Sequence, residues 1–371
     1  MTADIPSLHG VLTAAEIART GRSIVDVQEP SGAIPWSAGE HTDVWNHLES
    51  AMALTAVGEH DAATRAFEWV RTVQRPDGSV PMKIVQGEIE DASGETNMSS
   101  YLAVALWHHW LVHRDLDFVR RFWPHVRAGL NFAVEMQLPF GGIAWSQEWA
   151  PSDSGESRPA TVNAEALVAG SSSIYHSLLA GCSIADLLDD PEPEWELAGG
   201  RLGHALREHR DLFLDKSEFS MDWYYPVLGG AVRGDAADDL VAERWDTFVE
   251  PGLGIRCVST NPWVTGAETC ELVMALDAIG DRERAITLLK DMQHLRHENG
   301  SYWTGFVFPE NVNWPGEQTT YTAAAVILAV DALTLTTPGA TIMRGTTMVA
   351  DFAEIGLECG CSDSVESPRR P

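Results

Sequence analysis

The chain is short of cysteine, short of basic residues and without any long apolar run. Its five cysteines, Cys182, Cys257, Cys270, Cys359 and Cys361, are scattered through 371 residues. An odd number without regular spacing excludes a disulfide framework as the organising principle. Lysine and arginine total 25 against 54 acidic residues, a formal charge of −29. A surface of that sign repels phosphate backbones and anionic headgroups, which excludes nucleic acid and membrane surfaces as partners. No stretch reaches the ~18 consecutive apolar residues of a spanning helix. The opening Met1-Thr-Ala-Asp-Ile-Pro6 has neither the basic region nor the apolar run of a secretory leader. The expected setting is cytoplasmic, and no feature bears on oligomeric state.

What the chain does have is a repeat. A glycine-containing turn and an aromatic lead through acidic residues into a helix of small apolar residues. The unit begins at Ser31, Asp77, Gly141, Phe219, Gly254 and Asn299, six copies of the same order along the chain, a recurrence that signals a repeat architecture. Between the copies lie six more polar helical segments, approximately 8–26, 60–74, 116–137, 194–214, 236–249 and 282–297. In the second of these Ala63, Ala66, Phe67, Val70 and Val73 follow helical spacing, with Arg65, Glu68 and Arg71 on the other face. Tyr101-Leu-Ala-Val-Ala-Leu-Trp107, by contrast, is apolar all round and predicts a buried helix. Wet and dry helices alternating six times predict an all-α fold of two concentric layers.

This pattern resembles the (α/α)6 barrel, or toroid, shared by many glycoside hydrolases, class II terpene cyclases and prenyltransferase β subunits. The resemblance covers about residues 8–335 and implies six inner and six outer helices. Residues 336–371 read as a C-terminal extension whose last part has a disordered composition. In the fold, the connections entering the inner helices line a funnel. Here they hold Asp43, Glu95, Glu148, Asp222, Glu268, Glu310 and Glu317. They also hold Trp36, Trp45, Trp145, Trp149, Trp223, Trp263, Trp303 and Trp314, eight of the fourteen tryptophans.

Carboxylates and indoles in one cavity suit a sugar chain. Indole faces stack on the C–H faces of pyranose rings, and a pair of carboxyl groups supplies the acid and the base or nucleophile of glycoside hydrolysis. Each acid has a plainer reading as a helix N-cap or first-turn residue answering free backbone N–H groups, and Asp43 and Glu95 sit where such an acid belongs. Asn46 and Tyr321 complete the expected sugar-binding set.

Two stretches suggest the catalytic pair. Gly141-Gly-Ile-Ala-Trp-Ser-Gln-Glu-Trp149 resembles the segment that bears the general acid of glucoamylase-type hydrolases, which implies Glu148. Phe308-Pro-Glu-Asn311 resembles the segment that bears their general base, which implies Glu310. Copies three and six stand opposite in a six-fold ring, so the two would face across a sugar, and a separation of ~6.5–9.5 Å would give inversion. The other candidate pair is Asp43 with Glu268, at the mouths of inner helices one and five.

The competing families fit less well. Asp186-Leu-Leu-Asp-Asp190 and Asp235-Ala-Ala-Asp-Asp239 have the wrong spacing for a terpene cyclase acid motif. Glu268-Thr-Cys270 resembles part of a prenyltransferase zinc site, but Thr320, Tyr321 and Thr322 offer no histidine to complete it. His108 and His109, like His294 and His297, read as helix-surface residues or as partners of acids. No metal and no cofactor are expected. A glycan-binding toroid without chemistry is a further alternative.

Pro35-Trp-Ser-Ala-Gly-Glu-His-Thr-Asp-Val-Trp-Asn46 and Trp314-Pro-Gly-Glu-Gln-Thr-Thr-Tyr-Thr322 are similar to segments of an actinobacterial group labelled prenyltransferase-like. That group includes hydrolases of methylmannose polysaccharide, an intracellular α-1,4-linked chain. The resemblance implies an endo-acting α-mannosidase.

Overall fold

The computed structural model describes residues 4–151, 157–349 and 352. In chain order the α-helices are α1 Ala14–Val27, α2 Val44–Ala56, α3 His60–Val73, α4 Thr96–Ser100, α5 Leu102–His113, α6 Leu116–Glu135, α7 Val168–Leu188, α8 Pro193–Glu208, α9 Ser220–Leu228, α10 Asp235–Glu243, α11 Trp245–Phe248, α12 Gly266–Ala278, α13 Arg282–Asp291 and α14 Thr320–Thr334. The two expected helix types are both present. In α14 every residue from Thr320 to Leu333 is buried, because no side of the sequence is polar enough to face water. In α3 the buried residues are Ala62, Ala63, Ala66, Phe67, Trp69 and Val70, while Arg65 and Arg71 stay exposed.

The buried helices pack on one another in a closed order: α2 on α5, α5 on α7, α7 on α9, α9 on α12, α12 on α14, and α14 back on α2. The half-wet helices cover them from outside. Among these, α1 packs on α14 and α2, α6 on α5 and α7, α8 on α7, α10 on α9, and α13 on α12 and α14. The core is the space between these layers and inside the ring, filled by residues such as Trp195, Tyr175, Phe67, Phe122 and Phe248.

The connections depart from the all-α expectation. They zip into two antiparallel sheets of five strands each. The first joins β1 His41–Thr42, β2 Pro81–Val85, β3 Glu88–Glu95, β4 Ala144–Pro151 and β5 Ser157–Ala166. The second joins β6 Val249–Glu250, β7 Gly254–Arg256, β8 Trp263–Thr265, β9 Gly305–Val307 and β10 Val312–Asn313. Successive connections meet at one end of the ring, and their backbone groups pair with each other instead of with water. β1, β3, β5 and β8 lead directly into α2, α4, α7 and α12, so the sheets sit at the N-termini of the buried helices.

One further expectation needs correction. His108 and His109 are not on a helix surface: both are buried on α5, where desolvation pushes each imidazole down to about 3. Residues after Leu335 also continue the packing. Arg344 clamps Asp277 of α12 with two hydrogen bonds of 2.7 and 2.8 Å, the Val349 N–H donates to Ser183 Oγ of α7 at 2.9 Å, and Phe352 meets the Tyr175 ring edge-on. The low-complexity tail, with Cys359 and Cys361, lies outside the described residues. Cys182, Cys257 and Cys270 are free thiols.

Candidate active site

The mouth of α2 organises the site. Asp43 is its N-cap: Oδ1 accepts from the Asn46 backbone N–H at 2.9 Å, and Oδ2 accepts from the Asn46 side-chain amide at 2.6 Å. The plain capping role is therefore real. Asp43 is nonetheless only 5% exposed, and burial raises its pKa above the usual carboxylate range against the pull of those hydrogen bonds. Glu95 caps α4 in the same way, accepting from the Met98 N–H at 2.5 Å. Burial pushes it up to about 7, and the Asp43 charge adds to the rise.

Asp43 lies on a cavity of about 390 Å³ whose wall also carries Trp36, Trp45, Asn46, Glu268 and Tyr321. His41, Lys83 and Asp91 supply polar groups from the first sheet, and Met82, Met98 and Met221 supply apolar surface. The aromatic rings form a connected floor. Trp36 lies 5.8 Å from Tyr321 and 5.9 Å from His41, and Trp45 lies 6.4 Å from Tyr321. Glu268, in the first turn of α12, is half-buried and opens to the same space. So the cavity joins two acids from opposite parts of the chain with indole and phenol surfaces, the mixture that grips a sugar ring and its hydroxyls.

A larger cavity of about 660 Å³ lies between α1 and α14 and includes Glu317 and Trp303. Glu317 accepts a 2.8 Å hydrogen bond from Trp36 Nε1, so these two side chains join the walls of the two cavities. We place the chemistry in the smaller one because it alone of the two holds a buried acid beside a second acid and three clustered aromatics.

The other sequence candidates are dispersed. Glu148 is exposed on β4 of the first sheet, not sheltered between its tryptophans, and Glu310 is exposed between β9 and β10 of the second. Neither lines the cavity of Asp43. Trp145 is half-buried on β4. The guanidinium of Arg75 covers the ring of Trp149 at 3.9 Å. Trp223 is packed in the core, stacked on Phe248, with Nε1 donating to the Leu240 carbonyl at 2.8 Å. Trp263 and Trp314 pair edge-to-face at 5.1 Å on the second sheet, where Trp314 is exposed.

Sequence reasoning missed the layer beneath the floor. Glu49 of α2 and Glu271 of α12 are fully buried. Glu49 Oε1 accepts from Tyr101 Oη at 3.0 Å and Trp45 Nε1 at 3.2 Å. Glu271 accepts from Tyr225 Oη at 2.9 Å, from Tyr321 Oη at 2.6 Å and from Tyr224 Oη. A signal was present, since a glutamate in the middle of a helix with no wet face has to be satisfied internally.

Among the described residues no group of three His, Cys, Asp or Glu side chains converges as a metal site, and no helix is long and apolar enough to cross a membrane. No family model matches the sequence. Solved structures share the fold. One is a glycosidase variant in complex with glucose, with a TM-score of 0.68, 16% identity and coverage of 87% of this chain and 99% of that one. Another is a D-mannose isomerase, with a TM-score of 0.65, 11% identity and coverage of 85% and 96%. A curated relative is far nearer in sequence. The MMP endo-(1,4)-3-O-methyl-alpha-D-mannosidase of Mycolicibacterium hassiacum is 50% identical over 360 residues, covering 97% of each chain. Identity at that level over nearly the whole length leaves one conclusion: the chain belongs to the family of that mannosidase.

Proposed function

We propose that this protein is an endo-acting glycoside hydrolase that cleaves internal α-1,4-mannosidic bonds of a methylmannose polysaccharide in the cytoplasm. The observation that carries the reading is the 50% identity to a mannosidase of that specificity over 97% of both chains. The cavity supports it, with the carboxyl groups of Asp43, Asp91 and Glu268 set among aromatic faces. O-methylated sugars present more apolar surface than free ones, which suits a cavity lined by Trp36, Trp45 and three methionines. The closed order of six buried helices under six half-wet ones supports an (α/α)6 barrel of about residues 8–335, modified by its two sheets.

Asp43 and Glu268 are the catalytic pair in this reading. Asp43, with its acidity suppressed by burial, gives a proton to the glycosidic oxygen as the bond to the anomeric carbon breaks. Glu268, open to the cavity, takes a proton from the water that attacks that carbon from the other face, which inverts it. Trp36, Trp45, Asn46 and Tyr321 hold the sugars, and no cofactor enters. The test is incubation with 3-O-methylated α-1,4-mannan, α-1,4-glucan and prenyl diphosphates, with products resolved by mass and anomers by NMR. Shorter methylmannose oligosaccharides of inverted configuration are expected. Turnover of a diphosphate alone, or glycan binding without cleavage, overturns the reading.

A further inference from the structure

The buried glutamates beneath the floor have no part in the reaction as drawn, yet they are tied to two of the three aromatic side chains that border it. Trp45 donates to Glu49, and Tyr321 donates to Glu271. The hydrogen-bond inventories of the two are unequal. Glu271 receives three phenolic hydroxyls, one each from Tyr224, Tyr225 and Tyr321. Glu49 receives two donors, both on Oε1, while its buried Oε2 meets no hydrogen-bond partner among the described residues. An anionic oxygen left bare in the core is costly, whereas a neutral carboxyl there costs much less.

The surroundings make two full charges worse still. Glu49 is faced by Tyr101 from the α4–α5 junction, by Glu271 from α12, by Tyr225 from α9 and by Tyr321 from α14, with Asp43 and Trp45 on its own helix. Glu271 is faced by Tyr224, Tyr225, Tyr321 and Glu49, with Cys257 nearby and Glu268 and Cys270 on its own helix. No lysine, arginine or histidine is among these groups to offset two charges. Burial pushes Glu49 up to about 7 and Glu271 well above the carboxylate range, and the Glu49 charge contributes to the latter.

We propose that Glu49 and Glu271 are positioning residues: a buried carboxyl pair that keeps one shared proton at neutral pH and fixes Trp45 and Tyr321 as the floor of the sugar cavity. The single negative charge is what four phenols and an indole can solvate, and the proton removes the repulsion between the two carboxyls. The pair touches no substrate and acts through the two rings. That consequence for sugar binding rests on the glycosidase reading, while the proton itself does not.

Two measurements on the full-length protein separate those parts. Infrared difference spectra at pH 8, wild type minus variant, report the neutral-carboxyl stretch directly. Glu49→Gln should lose one such band, because Glu271 then ionises among its three phenols, whereas Glu271→Gln should keep it on Glu49, whose Oε2 has no donor among the described residues. Steady-state kinetics on methylmannan should then show KM rising about tenfold with kcat changed less than about threefold, the mark of lost ground-state positioning. Glu49→Gln, whose amide can keep the acceptor at Oε1, should be the milder. Tyr321→Phe removes one donor to Glu271 without altering either carboxyl, and it should shift the same band if the Gln variants fail to fold. Absence of the band in the wild type, or its survival in Glu49→Gln, overturns the shared proton. A fall in kcat with KM unchanged overturns the positioning role. A band that behaves as expected in a protein that cleaves no mannan leaves the pair standing and sinks the glycosidase reading instead.

Discussion

Asp43 shows how one side chain can serve a helix and a reaction. Its Oδ1 caps α2 through the Asn46 backbone N–H, yet its burial and its place on the cavity wall give it the suppressed acidity of a proton donor. The separation of these roles is measurable. Asp43→Asn and Glu268→Gln should each lower kcat by ~10²–10⁴, the usual worth of a general acid or base, while substrate still binds. Glu148→Gln and Glu310→Gln, on exposed positions of the two sheets, should stay within about threefold of wild type. If either exposed variant is dead while Asp43→Asn turns over, the glucoamylase-like assignment stands and the pair drawn here does not. At this scale the sequence was only partly legible. Acids at helix mouths were visible as a set, and Asp43 with Glu268 was one of two pairs that could be written down. Choosing between the pairs needed the third dimension: Glu148 is flanked by two tryptophans in sequence, but neighbours along a strand point to opposite faces and do not dry it. Glu49 and Glu271 were overlooked because a lone helical glutamate reads as surface until the helices on every side are in place.

At the scale of elements, the alternation of wet and dry helices was plain because 3.6-residue periodicity survives in any one helix. The ends were less so. The segment expected at 194–214 is α8 Pro193–Glu208 followed by a short 3-10 turn, and that at 236–249 is α10 and α11 with a break at Arg244. The two sheets were invisible, since their strands are two to ten residues long, several are polar on both faces, and they form by meeting connections from distant copies. Close helix contacts are likewise set by position. Gly129 of α6 sits against α4, where an added Cβ would stand 2.0 Å from the Ser99 carbonyl oxygen. Backbone cannot yield as a flexible side chain can, so Gly129→Ala should destabilise by about 1–3 kcal/mol or more. Gly170 in α7 is the contrast, with nothing nearer than 3.8 Å. Gly170→Ala should stabilise by about 0.5–1 kcal/mol through helix propensity. Urea midpoints at constant m-value check both. A neutral Gly129→Ala would mean that α4 and α6 can part without cost.

The whole molecule buries an unusual set of titratable groups, and they pull in opposite directions. Burial lowers His47 to about 4 and His108, His109 and His176 to about 3. In the unfolded chain these take up protons near 6.5, so the unfolded state binds more protons below that point, and stability is lost as pH falls from about 6.5 toward 3. The buried acids act the other way. Burial raises Glu49 and Glu95 to about 7, Asp222 and Asp331 to about 6, and lifts Glu271 well above the carboxylate range. Here the folded state holds the extra protons. The stability they lend is full below the unfolded carboxyl range and is lost as pH rises through 6 and 7. Between about 4.5 and 6 the two groups nearly cancel. Above neutrality only the acids act, together with self-repulsion from a net charge of −29. The expected profile is a dome with its maximum on the acid side of neutrality, and the melting temperature should be higher at pH 5.5 than at pH 8. Differential scanning calorimetry across pH 3–9 reads this directly. A melting temperature that climbs steadily from pH 5.5 to pH 8 would show that these carboxyls are ionised in the folded protein, because only then does raising the pH withdraw no protons from the native state.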